Sequence, residues 1–301
     1  MTRPLAGVSV AAITPRRESG HEIDLGAALD VIDYLAASGV AAAALLGTTG
    51  EFVHFDFEER ARLAMFAAKR TQLPVVVNVS HSTLDGALEL AAAACDAGAA
   101  ALLLMPPYFF RYSQQDIERF YLDFAREAPS TAPILLYNIP FFTTPIEPGT
   151  ACKLLATGLF AGIKDSSGDW EYFTRLREQR AGTPFTHLVG NDIIFTRERR
   201  AGADGVVSGV ACAVPELMLG LDRAIQAGDA AKTDVLEIRL QEFIARIDVL
   251  PAPVGVREAL RLRGVKIGPH ATPLGADNQR RLAEFAEWFP AWLAQVKGDV
   301  G

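Results

Sequence analysis

Cysteine is scarce in this chain: Cys95, Cys152 and Cys212 are the only three, an odd set without CxxC spacing. Such a set excludes a disulfide framework and a thiolate metal site. Their small or apolar neighbours predict reduced, buried thiols in a cytoplasmic compartment. The five histidines, His21, His54, His81, His187 and His270, are scattered without ligand spacing, so no bound metal is expected. No G-x-G-x-x-G or Walker-type loop follows a strand-like run, which removes the usual cradles for dinucleotides and nucleoside triphosphates. Basic charge is also short. Lys and Arg number 29 against 36 Asp and Glu, for a net charge of -7 and a pI near 5.3. A nucleic acid or an anionic membrane would be met by a basic face, so neither is expected as a partner. No apolar run approaches the roughly 20 residues of a membrane span, and Met1-Thr2-Arg3-Pro4 opens no signal-type apolar region. The expectation is a chain that is neither exported nor membrane-bound.

Half of the 301 residues are hydrophobic, enough for a large core. Short apolar runs recur near 7–13, 40–46, 74–79, 99–104, 133–138, 161–164, 186–190 and 205–208. Most are separated by a longer stretch with helical periodicity, the pattern of repeated strand-helix units. Several follow a glycine, in Ser38-Gly39, Ala97-Gly98, Gly158 and Ala201-Gly202, as helix ends leading into strands do. Eight such units close most naturally into a (β/α)8 barrel, here over residues 1–221. Residues 222–301 lack strand patterning but are helically periodic in 231–247, 254–263 and 278–296. They read as helices packed on the barrel, with turns at Pro251-Ala252-Pro253 and Gly268-Pro269-His270.

In such a barrel the active site lies at the C-terminal ends of the strands. Lys164 closes the sixth run, in Gly162-Ile163-Lys164-Asp165-Ser166-Ser167. A lysine attacks a carbonyl as the neutral amine, and burial in a strand mouth disfavours the charged form. The bland alternative is a lysine that snorkels to solvent. Lys69, Lys153, Lys232 and Lys297 lie in amphipathic helical contexts, and Lys266, the one rival with apolar neighbours, falls in the C-terminal helices. Gly47-Thr48-Thr49-Gly50-Glu51 follows the second strand and offers hydroxyls and backbone N–H groups to a carboxylate. It also reads as a capping turn before the next helix. Tyr137 closes the fifth strand with a phenol able to carry a proton, or else serves as a barrel-layer aromatic. Asp165, Ser166 and Ser167 read mostly as caps for the helix opening near Asp169 and Trp170. The convergence of Thr48, Thr49, Tyr137 and Lys164 on one mouth favours imine chemistry on a 2-oxo acid. The lysine imine then serves as the electron sink, with no cofactor.

Taken in order, Gly47-Thr48-Thr49-Gly50-Glu51, Pro106-Pro107-Tyr108-Phe109, Tyr137-Asn138-Ile139-Pro140, Gly162-Ile163-Lys164-Asp165-Ser166-Ser167 and Gly205-Val206-Val207-Ser208-Gly209 resemble the dihydrodipicolinate synthase and N-acetylneuraminate lyase family of pyruvate-dependent class I aldolases. The resemblance implies a Schiff base between Lys164 and pyruvate, a carboxylate held by Thr48 and Thr49, and proton relay through Tyr137. It further implies a pyruvate subsite lined by Gly190 and Val207, and a homotetramer built as a dimer of dimers. Two positions depart from the synthases. Phe142 stands where they carry an arginine for the second substrate's carboxylate, so a charge-assisted pair worth roughly 1.5–3 kcal/mol is lost. Phe109 stands where they carry a tyrosine reaching into the neighbouring subunit, with Tyr108 beside it.

The pyruvyl half of the site is therefore expected to be intact, and the half that reads the partner to be aromatic, from Phe109, Phe110, Phe141 and Phe142. The leading reading is an aldolase or lyase acting next to pyruvate on a 2-keto-3-deoxy sugar acid, a related hydroxy-oxo acid, or an aldehyde with apolar surface. The sequence does not choose among them. The alternatives are a 4-hydroxy-tetrahydrodipicolinate synthase, a keto-deoxy acid dehydratase, and a non-catalytic 2-oxo acid sensor.

Overall fold

The structure, a computed structural model, describes residues 5–19 and 21–301; Met1–Pro4, read above for an export signal, lies outside them. Eight parallel strands close a barrel in sequence order: β1 (Gly7–Ala11), β2 (Ala42–Leu45), β3 (Val75–Asn78), β4 (Ala101–Leu104), β5 (Ile134–Asn138), β6 (Gly162–Asp165), β7 (Thr186–Val189) and β8 (Gly205–Ser208). Each falls within or next to one of the apolar runs. Every residue of β2 to β8 is buried, because the strands face the barrel interior on one side and helices on the other. Among their polar residues Thr186 and His187 open β7, whereas Asn78, Asn138, Lys164, Asp165 and Ser208 gather at C-terminal ends. That clustering marks the mouth of the barrel.

Helices alternate with the strands and are started by side chains that accept backbone N–H groups: Asp24, Asp56, Thr83, Ser113 and Asp169. Gly98 ends its helix at φ 87°, a left-handed turn that a side chain would strain. Three further helices, Ala230–Ile247, Val254–Leu262 and Ala276–Val300, follow the barrel. Phe243, Phe285, Phe289 and Trp292 stack between two of them, with Trp292 Nε1 donating to Glu242 Oε2 at 2.9 Å. The boundary drawn at 221/222 lies inside the continuous helix Pro215–Ala227.

The cysteine expectation needs correction. All three are free, but only Cys212 is buried, its thiol pushed up to about 12 by burial. Cys95 and Cys152 sit half-exposed on the helices Leu84–Ala97 and Pro148–Ala156. Small neighbours there reflect helix-on-helix packing and not the barrel interior.

The short helix Phe195–Arg200, packed on β7, buries Glu198, and among the described residues neither carboxylate oxygen has a hydrogen-bond partner. Desolvation, reinforced by the charge of Asp165, pushes its carboxyl up to about 9. The unfolded chain releases this proton near pH 4.3, whereas the folded chain holds it to about pH 9. Between those values the folded state binds more protons, so this group's contribution to stability declines as pH rises. Glu198→Gln removes that slope. Calorimetry is expected to show a melting-temperature gain on the order of 2–4 °C at pH 8, with a smaller gain at pH 5. Equal shifts at both pH values would contradict the assignment.

Candidate active site

Parallel pairing of β5 with β6 sets Tyr137 beside Lys164 and Asn138 beside Asp165. Side chains alternate along a strand, so the first pair shares one face and the second pair the other. On the cavity side, Lys164 is buried and its Nζ lies 4.1 Å from the centroid of the Tyr137 ring. The Tyr137 hydroxyl hydrogen-bonds to Thr48 Oγ1 at 3.0 Å. Tyr137 thereby joins the lysine, packed on its ring, to the turn after β2.

On the opposite side, Asn138 Nδ2 donates to Asp165 Oδ1 at 2.8 Å, and Asn138 Oδ1 accepts from Ile146 N at 3.0 Å. Ser167 donates from its backbone N and its Oγ to the two Asp165 oxygens, at 3.1 and 2.7 Å. This corrects the reading of Asp165, Ser166 and Ser167 as helix caps. Asp169 caps the helix Trp170–Arg180, whereas Asp165 ties the ends of β5 and β6 together. Ser166 Oγ donates to Gly190 O at 3.1 Å. Burial raises the Asp165 carboxyl, and the Ser167 and Asn138 hydrogen bonds oppose that rise.

The turn after β2 is bracketed by two non-glycine residues in the left-handed region, Leu46 at φ 58° and Glu51 at φ 54°. Each costs on the order of 1–3 kcal/mol and persists only where surrounding contacts impose it. Asn78 Nδ2 donates to Leu46 O at 2.7 Å. Glu51 Oε2 accepts from Arg257 Nη1 at 2.9 Å, and Arg257, fully buried, also donates to the carbonyls of Thr14, Ile267 and Pro269. Losing one partner of such a buried pair typically costs about 3–5 kcal/mol, so the C-terminal helices and the Thr48–Thr49 turn are held as one unit. Asp56 caps the next helix, leaving the hydroxyls of Thr48 and Thr49 free of that task.

A cavity of about 390 Å³ opens above these groups, a volume within the range of roughly 300–1,000 Å³ usual for small-molecule sites. Thr48, Thr49, Tyr137, Lys164, Gly190 and Val207 all line it. Gly190 has no room for a side chain, since a Cβ would fall 2.1 Å from Ser166 Oγ and 2.9 Å from Asp165 O. Gly50, Tyr108, Phe109 and Phe142 are not among the lining residues. Gly50 packs under the turn, where a Cβ would come 3.0 Å from Ala12 O. Tyr108 stands edge-on to Phe52 at 5.4 Å, and Phe109, at φ 81°, is 87% exposed. Phe142 also faces outward, and its neighbour Phe141 lines the cavity instead. Lys266 is exposed and bonds Asp24 Oδ2 at 2.7 Å, outside the cavity.

Sequence reasoning missed two parts of this wall. Asp192 lines the cavity and accepts from Val210 N at 3.1 Å with Oδ2, and among the described residues Oδ1 has no hydrogen-bond partner. Burial raises its carboxyl, against hydrogen bonds from Ser208 and Val210 and the charge of Lys164. The second part comes from the C-terminal helices and the turn between them, which contribute Ile244, Ile247, Asp248, Leu250 and Val256 to the lining. Among the described residues no group of three or more His, Cys, Asp or Glu side chains could hold a metal ion, and no helix is long and apolar enough to cross a membrane.

A closed (β/α)8 barrel with a buried lysine ending its sixth strand, set against a tyrosine and paired threonines in one cavity, defines a lysine-centred enzyme of the barrel class. The chain belongs to the dihydrodipicolinate synthetase family, whose family model matches residues 4–288, and is thus a carbon–carbon lyase of the class I aldolase type. It is 29% identical over 295 residues to the 4-hydroxy-tetrahydrodipicolinate synthase of Methanothrix thermoacetophila, covering 98% of this chain and 99% of that one. Among solved structures it superposes with a TM-score of 0.88 on the 4-hydroxy-tetrahydrodipicolinate synthase of Methylacidiphilum fumariolicum SolV, at 25% identity over 98% of this chain and 99% of the other. It superposes at 0.86 on YagE, a prophage protein of this family from E. coli K12 solved with pyruvate, at 26% identity over 97% of this chain and 98% of that one.

Proposed function

We propose that the protein is a Schiff-base-forming aldolase that makes or breaks the carbon–carbon bond next to pyruvate in a hydroxy-oxo acid, without a cofactor. The observation that carries this reading is the placement of Lys164 Nζ against the Tyr137 ring, with the Tyr137 hydroxyl bonded to Thr48 at 3.0 Å. The Lys164 amine attacks C2 of pyruvate, and the former keto oxygen, protonated through Tyr137, leaves as water. The resulting iminium draws electrons from C3, which loses a proton to give an enamine. C3 then bonds to the aldehyde carbon of the second substrate, whose carbonyl oxygen takes a proton. Water hydrolyses the iminium, releasing a 4-hydroxy-2-oxo acid and restoring the amine. Thr48 and Thr49 hold the pyruvyl carboxylate in this scheme, and Gly190 and Val207 flank the methyl and keto groups.

The names of the curated relatives favour a second reading, a 4-hydroxy-tetrahydrodipicolinate synthase. The outward-facing Phe142 at the position of the expected arginine weighs against it. Four exposed phenylalanines, 109, 110, 141 and 142, sit on loops joined by the Tyr108–Thr143 bridge and by Arg111 Nη1 donating to Thr143 O, and they support assembly into a homotetramer. Product analysis tests the reaction class. Release of pyruvate and an aldehyde from a 4-hydroxy-2-oxo acid is expected, and a dehydrated oxo acid as sole product would replace the aldolase with a dehydratase.

A further inference from the structure

Beyond Lys164 the cavity divides into two unlike halves. The half beside Thr48, Thr49 and Tyr137 is polar. The other sets the apolar side chains of Phe141, Ile193, Ile244, Ile247, Leu250 and Val256 beside Asn191, Asp192 and Asp248, contributed by the loops after β5 and β7, by the C-terminal helices and by the turn after Ile247. Among the described lining residues Lys164 is the one basic side chain, and in the enamine its nitrogen carries no positive charge. The remaining ionisable groups of the wall, Asp192 and Asp248, are carboxyls. Burial raises both carboxyls. Arg257, the large buried cation nearest this wall in sequence, is engaged by Glu51 and backbone carbonyls.

We infer that the second substrate is an uncharged aldehyde bearing an apolar substituent, which lies against the wall of Phe141, Ile247 and Leu250 while its carbonyl carbon meets C3 of the enamine. This rests on the aldolase reading above and narrows it. An anionic aldehyde would bring its carboxylate into a wall that offers no counter-charge, between two carboxyls, and would lose its water there. A polyhydroxy aldehyde would leave those of its hydroxyls that meet the aliphatic side chains without partners. An apolar chain loses nothing in that transfer and gains from burial.

The test compares aldehydes of matched shape. 4-Methylpentanal carries an isopropyl group where succinic semialdehyde carries its carboxylate, and D-glyceraldehyde represents the polyols. With saturating pyruvate, aldehyde-dependent pyruvate consumption is expected to show kcat/KM for 4-methylpentanal at least roughly tenfold above either of the others. Phe141→Arg, at a 71% exposed position on the cavity rim, is expected to lower the ratio of 4-methylpentanal to succinic semialdehyde about tenfold by supplying the missing cation. A preference for succinic semialdehyde or glyceraldehyde overturns the inference. So does trapping of pyruvate on the enzyme by borohydride with none of the three aldehydes consumed, or a ratio unmoved by Phe141→Arg. Failure of pyruvate trapping itself would instead overturn the aldolase reading beneath it.

Discussion

Lys164→Ala is expected to lower pyruvate-dependent turnover by roughly 10⁴-fold or more, since it removes the nucleophile on which every later step depends. No neighbouring side chain can take over. Among the described residues lining the cavity there is no second amine, and Lys266 is exposed and paired with Asp24. The fold is expected to survive, because the Lys164 side chain faces an existing cavity and packs on the Tyr137 ring, which an alanine leaves in place. Far-ultraviolet circular dichroism beside the kinetics checks this. Lys266→Ala is the matched control and keeps wild-type turnover. Residual turnover of Lys164→Ala within tenfold of wild type would mean that the amine is not the nucleophile.

Tyr137→Phe is expected to be the next largest effect, a loss of roughly 10²–10⁴-fold in kcat, the usual range for removing a positioned proton donor. The ring is fully buried and Phe preserves its packing against Lys164, so the change isolates the hydroxyl. Two consequences follow from its bond to Thr48 Oγ1. The keto oxygen loses its route to leave as water, and Thr48 loses a partner that orients it toward the carboxylate. KM for pyruvate is expected to change less than kcat, because binding relies on Thr48, Thr49 and backbone N–H groups. A Tyr137→Phe enzyme with unchanged kcat and raised KM would assign the phenol to binding and not to proton transfer.

The barrel was legible because parallel strands buried on both faces leave unbroken apolar runs, and glycines at helix ends punctuate them. Gly39, Gly98, Gly158 and Gly202 all adopt positive φ, as their positions before strands require. Lys164, Tyr137 and Thr48 were found because the fold itself dictates that strand ends converge. What escaped was contact between distant segments. Arg257 and Glu51 are 206 residues apart, and each alone looks like an ordinary charge on a helix or a turn. The same holds for the aliphatic wall. Ile244 and Ile247 carry the helical periodicity of a packing face, and periodicity does not say whether that face meets another helix or a cavity. Asp165 was misread because a carboxylate followed by two serines before a helix matches a capping pattern, whereas its place on β6 opposite Asn138 is a matter of register. Phe141 and Phe142 were not separable, since adjacent residues of a loop share their composition and differ only in direction.

The most direct test of imine formation is intact-protein mass spectrometry after incubation with pyruvate and borohydride, with Lys164→Ala alongside. The account predicts one reduced pyruvyl adduct per chain, mapped to the peptide containing Lys164 and missing in the variant. An unmodified wild-type mass, or an adduct that persists in Lys164→Ala, would contradict it.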